Sequence, residues 1–317
     1  MNIDFPSLIP RAELPQLLRQ EGLSVVGLLD AATLPGLPER VAGRGQESLC
    51  LFHGDKAEEL RDVAPYLVGM TADSPLMRDF LNDGKMPWAM WPRRPGMLFV
   101  TDLSLPALQR HLRRFLRVTT PRGTFFFRFW EPASALAYFD AIAANPDRGR
   151  WFFPREGGRI AALLVPDTDA GGLRSFAAGA DPGGRDWERR PFVIHPPELE
   201  ALHSARISRD LHEMQTLMIA TFPERTASIP APELERAIRR SVSRCAEFGI
   251  RQRPNAFRIA AWDMHSEGPF EHVDPGGKLR EILCAEIGES DKMRRLAERI
   301  AQLGPANNHS SSPAGRP

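Results

Sequence analysis

The sequence predicts an α+β protein: an N-terminal mixed sheet flanked by helices, followed by a smaller all-helical C-terminal lobe. Three observations carry this reading. In the first half, short apolar runs alternate with runs whose apolar residues recur at helical spacing. From Pro196 onward the spacing is helical only. Between the halves, DTDAGG and GADPGGRD concentrate Gly, Asp and Pro, the composition of loops. The predicted boundaries are 1–166 for the α/β domain, 167–195 for a linker or loop region, 196–303 for the helical lobe and 304–317 for a disordered tail.

The first strand is SVVGLLD (Ser24 to Asp30), a short apolar run ending in an acid. SLCLF (Ser48 to Phe52) is the second. A helix then opens at Asp55, a good N-cap, and sets Ala57, Leu60, Ala64 and Leu67 on one face. Pro65 ends or distorts it, and Tyr66 to Val68 leave it as extended chain. MLFVTD (Met97 to Asp102) is a further strand. After it, Ser104 caps a helix with Pro106 in its first turn. Leu105, Leu108, Leu112 and Phe115 form its inner face; Arg110, Arg113, Arg114 and Arg117 lie on its other sides.

TFFFRFW is the next strand, and it raises the question of what Arg128 does among aromatics. Alternation sets Phe125, Phe127 and Phe129 on one face and Phe126, Arg128 and Trp130 on the other. A buried guanidinium needs an acid, and Asp30, Asp102 and Glu131 are candidates. The expectation is a structural latch in which Arg128 pairs with Asp30, framed by Trp130, Glu131 and Pro132; an exposed Arg on a sheet face is the alternative. Pro132 starts a helix with Leu136, Phe139 and Ala143 inward, and RIAALLVP (Arg159 to Pro166) is the last strand. In the helical half, the stripe Leu234, Ile238, Val242, Cys245 and Phe248 begins after Pro232 and stops before Gly249. PNAFRIAAWDMHSEG, KLREILCAEI and KMRRLAERIAQL continue it.

Composition narrows the function. Hydrophobic residues are 42% and charged residues 26%, ordinary for a soluble globular chain. A net charge of +1 supplies no global field for nucleic acid or an anionic membrane. Cys50, Cys245 and Cys284 are far apart, which argues against a disulfide framework or a cysteine zinc site. No apolar run approaches the ~18 residues of a membrane span, and MNIDFPSLIP does not read as a signal peptide. The expected location is the cytoplasm. His265 and His272, with Asp263, Glu267 and Asp274 nearby, lack metal-ligand spacing, so no metal and no cofactor is expected. No phosphate-binding or nucleophile-elbow motif occurs. The basic face at Arg110, Arg113 and Arg114 either is solvated or meets an acidic partner. Trp88 and Trp91, in KMPWAMWPRRPG, either serve an interface or plug the end of the sheet.

Ordered landmarks across residues 22–157 resemble a known family: VVGLLDAA, SLCLF, VAPYLV, LQRHLRRFLRV, FFFRFWEP, LAYFDAI and RWFFPREG. The chain is similar to the DUF4123 family, adaptors (chaperones) of the bacterial type VI secretion system. MIATFPERTASIPAPELERAIRRSVSRCAEFGI and FRIAAWDMHSEGPFEHVDPGGKLREIL resemble the helical tail common in that family. The family commonly has Arg-aromatic-aromatic-Asp-Pro-Arg; here Glu131 replaces the Asp and Ala133 the second Arg, so any role of that arginine is absent or supplied elsewhere. The Gly-Pro expected after Trp151 reads Pro154-Arg155-Glu156. The resemblance implies a non-enzymatic cytoplasmic protein that binds a toxic effector and promotes its loading onto the VgrG spike protein. Trp88, Trp91, Arg110, Arg113 and Arg114 are the expected partner-binding residues. The alternatives are a hydrolase-type enzyme with an unrecognised site between the lobes, and a nucleic-acid binder using the basic helix 110–117.

Overall fold

The computed structural model describes residues 5–21, 25–120, 123–143, 145–153, 158–177 and 192–304. The predicted tail from 305 and about half of the predicted linker, 178–191, lie outside them. In chain order the first elements are β1 (Leu8–Pro10), α1 (Leu14–Gln20), β2 (Val25–Asp30), α2 (Leu37–Gly43), β3 (Ser48–Cys50), α3 (Asp55–Glu59), β4 (Pro65–Met70) and α4 (Pro75–Leu81). Then come β5 (Gly96–Thr101), α5 (Leu105–Leu112), β6 (Arg117–Thr120), β7 (Gly123–Phe126), α6 (Pro132–Ile142), α7 (Pro146–Gly149), β8 (Ile160–Asp167) and β9 (Gly172–Ala177). The remainder is helical: α8 (Pro196–Thr221), α9 (Pro223–Thr226), α10 (Ala231–Glu247), α11 (Arg253–His265), α12 (Lys278–Cys284) and α13 (Glu289–Leu303). The fold is α+β, with the strands in the N-terminal half.

The chain divides into two compact units, one ending at Arg206 and the other beginning at Ile207, so the division falls within α8. Unit 1 is built on a seven-stranded sheet in the order β1-β9-β8-β5-β2-β4-β3. Its ladders are antiparallel throughout. Helices cover both faces, which is why its central strands read as unbroken apolar runs. Along β2, Val26 and Leu28 join one apolar cluster with Met97, Phe99, Leu163 and α5 and α6; Val25 and Leu29 join another with Leu98, Val100, Leu164 and α1, α2 and α4. Asp30 continues the Val26–Leu28 face by the two-residue period of a strand. At the start of β5, Gly96 has φ 130°, and a Cβ there would stand 2.0 Å from the Leu28 carbonyl oxygen. Only glycine lets β5 approach β2 this closely.

Four sequence expectations change. The helix opening at Asp55 is one short turn, and Leu60 is exposed rather than core-facing. The extended chain expected at Tyr66 to Val68 is the middle of β4, which pairs to both β2 and β3. Pro65 can begin that strand because its missing N–H costs nothing at a strand end. TFFFRFW is not a long buried strand: β7 stops at Phe126 and pairs only with β6 in a separate two-stranded sheet. In α6 the inward residues are Ala135, Tyr138, Phe139 and Ile142, while Ala143 is exposed. Finally, residues 172–177, inside the expected linker, are β9, which joins the sheet between β8 and β1.

Unit 2 closes α10 to α13 around Leu234, Ile238, Ile259, Leu279, Leu283 and Leu296. Helix ends here are satisfied by side chains from other helices. Lys292 Nζ donates to the Phe248 and Leu283 carbonyls, each at 2.7 Å. Glu289 accepts from the Arg251 and Gln252 backbone N–H groups at the start of α11.

Candidate functional site

The arginine-rich segment is positioned by its apolar side. Leu105, Leu108, Leu112 and Phe115 are buried, and Phe115 stacks on Phe152 with ring centroids 4.1 Å apart. Gln109 Nε2 donates to the Cys50 carbonyl at 2.6 Å and ties α5 to β3. The helix expected to carry all four arginines ends at Leu112: Arg110 is on α5, Arg113 and Arg114 lie in the 3-10 turn that follows, and Arg117 begins β6; three are exposed and Arg113 is half-buried. They border an open groove of about 870 Å³. Its apolar wall is Phe52, Leu60, Leu116 and Phe126, with His53 beside them. Arg114 lies over the Trp151 ring, 5.8 Å from its centroid. Arg110, Arg113 and Arg117 make no ion pair among the described residues.

Behind the groove sits the pair expected from the sequence. Arg128 Nη2 donates to Asp30 Oδ2 at 2.5 Å. The same oxygen accepts from Trp130 Nε1 at 3.1 Å, and Oδ1 accepts from the Ala32 N–H at 3.0 Å. The Asp30 side chain is 3% exposed and that of Arg128 is 48% exposed, so the pair is buried at one end only. Arg128 also lies 5.9 Å from the Trp130 ring centroid, within cation–π range. A turn at Phe129 and Trp130 breaks the strand alternation and sends Trp130 inward. Glu131 caps α6 by accepting from the Ser134 N–H at 3.2 Å, and Pro132 takes the first helical position. Ala133 follows in that first turn, half-buried.

The latch reaches the groove through rings. Trp130 meets Phe126 edge-on at 5.8 Å, and Phe126 meets Phe52 edge-on at 5.8 Å. Asp30 thus holds the residue against which one groove wall leans. Sequence reasoning found the arginines and the latch but not this wall, whose members come from three separate segments.

The tryptophans separate. Trp91 is a core residue, 5% exposed, edge-on to Phe80 at 6.5 Å and under the Arg11 guanidinium at 5.3 Å. It plugs the apolar cluster on the α1–α2–α4 face and has no surface to offer a partner. Trp88 is 44% exposed, but it does not line the groove.

His111, on the inner side of α5, is mostly buried. Burial first, and the Arg114 charge second, push its pKa down to about 4. Its Nε2 is buried with no hydrogen-bond partner among the described residues. In unit 2 the acids near His265 and His272 are committed to arginines. Asp263 and Glu271 both bind Arg244, at 2.7 Å and 2.5 Å, and Asp274 pairs with Arg299. Among the described residues no group of three or more His, Cys, Asp or Glu could hold a metal ion. Among them, too, no helix is long and apolar enough to cross a membrane.

No curated protein and no solved structure matches the chain. Residues 27–146, which contain both the Asp30–Arg128 latch and the arginine stripe, match the family model described as "Domain of unknown function (DUF4123)", and this match supports membership of that family.

Proposed function

We infer that this chain is a non-enzymatic adaptor of a type VI secretion system: it binds a toxic effector in the cytoplasm and promotes its loading onto the VgrG spike protein. The observation that carries the reading is the groove inside the family-matched segment. It joins exposed apolar side chains to Arg110, Arg113 and Arg117, which make no ion pair among the described residues. Exposed aromatic and arginine groups clustered around one concavity are what protein interfaces concentrate. The resemblance of the landmark order to the type VI adaptors supplies the identity of the partners.

The test is co-expression of the tagged chain with the toxin encoded beside it, and separately with VgrG, followed by mass measurement of what elutes. A stoichiometric complex, with the toxin insoluble when made alone, is the expected result. A chain that elutes alone from both mixtures overturns the adaptor reading.

A further inference from the structure

We propose that the arginine-lined groove receives an acidic, amphipathic stretch of partner protein, one that places carboxylates beside large apolar side chains. The proposal deepens the adaptor reading and rests on it for the partner's identity. It commits to the chemistry of what sits in the groove.

Charge complementarity is the first argument. Among the described residues the groove is bordered by Arg110, Arg113, Arg114 and Arg117 and by no carboxylate. Nearby α3 carries Asp55, Glu58 and Glu59, yet none of these forms an ion pair with the arginines. Guanidinium groups match carboxylates bidentately, and apolar neighbours strengthen such pairs by excluding water. Arg110, Arg113 and Arg117 are therefore the groups with most to gain from an incoming acid.

The apolar wall is the second argument, and it selects protein over nucleic acid. Leu60 is 39% and Phe126 46% exposed, a cost in water that an apolar side chain removes on docking. Single strands are held by rings offered face-on as stacking platforms. Here Phe52 and Phe126 are edge-to-face at 64°, and leucines form the rest of the wall. A net charge of +1 supplies no wider field for a phosphate backbone.

The test uses the full chain, wild type and Arg110→Glu/Arg113→Glu/Arg117→Glu, with melting temperature as the folding control. Because these arginines hold no ion pair among the described residues, the variant should melt with the wild type. Three fluorescein-labelled probes are titrated by anisotropy: an amphipathic Leu/Glu peptide, its Leu/Gln counterpart, and an oligothymidylate. The Leu/Glu peptide should bind about tenfold or more tighter than the Leu/Gln peptide, weaken as salt rises, and lose that advantage in the variant. Phe126→Ser should weaken both peptides. Equal binding of the two peptides, tighter binding of the oligothymidylate, or no saturable binding overturns the proposal. The same variant is co-expressed with the toxin and with VgrG. A complex that survives all three charge reversals overturns the groove as the docking site and leaves the adaptor reading standing. Wild-type protein that ignores both proteins but binds the Leu/Glu peptide overturns the adaptor reading and leaves the groove chemistry standing.

Discussion

The Trp130 indole donates its Nε1–H to Asp30 Oδ2 at 3.1 Å, across 100 residues of chain. This bond joins the end of β2, in the centre of the large sheet, to the corner between the β6–β7 hairpin and α6. Phe126 rests on Trp130 and forms part of the groove wall. A structural hydrogen bond thereby sets the shape of a surface that is chemically unrelated to it.

The two partners of the latch should differ in what their loss costs. Asp30 is buried and accepts three hydrogen bonds, two of them from groups that stay in place when it is removed. Asp30→Ala should cost about 2–4 kcal/mol, because the Trp130 Nε1–H and Ala32 N–H lose their acceptor. Asp30→Asn keeps an acceptor and should cost less. Arg128 has a half-exposed side chain, so Arg128→Ala should cost about 1 kcal/mol or less after screening. Urea denaturation of the three variants gives the order; equal losses for Asp30→Ala and Arg128→Ala would refute it.

His111 should make stability pH-dependent in a definite window. Its folded pKa of about 4 lies below the ordinary 6.5, so on acidification the unfolded chain takes up the proton first. Stability is therefore full above about pH 6.5, falls as pH drops towards 4, and gains no further slope from this group below that. A shift of this size corresponds to about 3 kcal/mol at most. In His111→Phe the slope in this window should flatten relative to wild type, as read by denaturation midpoints at successive pH values. An unchanged slope would mean that carboxylates alone set the acid limb.

Legibility from sequence followed how local the signal was. VVGLLD and the run from Met97 were readable as strands because both faces are covered and all but their last residues are apolar. The same coverage blurred β4, of which only Tyr66 to Val68 read as extended chain. Strands buried on both faces lose alternation, and Leu60, Ala64 and Leu67 then fall at helical spacing by coincidence. β9 was hidden by the Gly- and Asp-rich turn before it, since residues 168–171 have loop composition although they close a β8–β9 hairpin. The arginine stripe was visible because 110, 113, 114 and 117 recur at helical spacing, although α5 ends at Leu112 and Arg117 already belongs to β6. Trp91 was read as a possible anchor because composition cannot tell a ring at an interface from one beneath Arg11 against Phe80.

The two tryptophans offer a direct contrast. Trp91→Ala removes a core ring and should cost about 3–5 kcal/mol. Trp88 is 44% exposed, and Trp88→Ala should change stability by about 0.5 kcal/mol or less. Thermal unfolding of both variants is sufficient. Loss of effector binding by Trp91→Ala would then report misfolding, and only Trp88→Ala could speak to contact.

Unit 2 should carry its own acid sensitivity, centred on Asp274. Arg299 first, and the Gly276 and Leu279 N–H groups with it, hold this carboxyl well below the usual carboxylate range, against an opposing effect of burial. Glu289 is also lowered: burial opposes its charge, and hydrogen bonds from Asn255, Arg251 and Gln252 outweigh it. With folded pKa values depressed, both acids stabilise fully above their unfolded values near pH 4 and lose that contribution as pH falls further. Asp274→Asn cannot form the ionic pair with Arg299, so it should lower stability at pH 7 and reduce the loss on going from pH 5 to pH 2. Far-UV circular dichroism, which weights the helices of unit 2 heavily, follows both effects in the full chain. If Asp274→Asn matched wild type at pH 7 and kept its full acid transition, the Arg299–Asp274 pair would not be what holds α12 and α13 together at low pH.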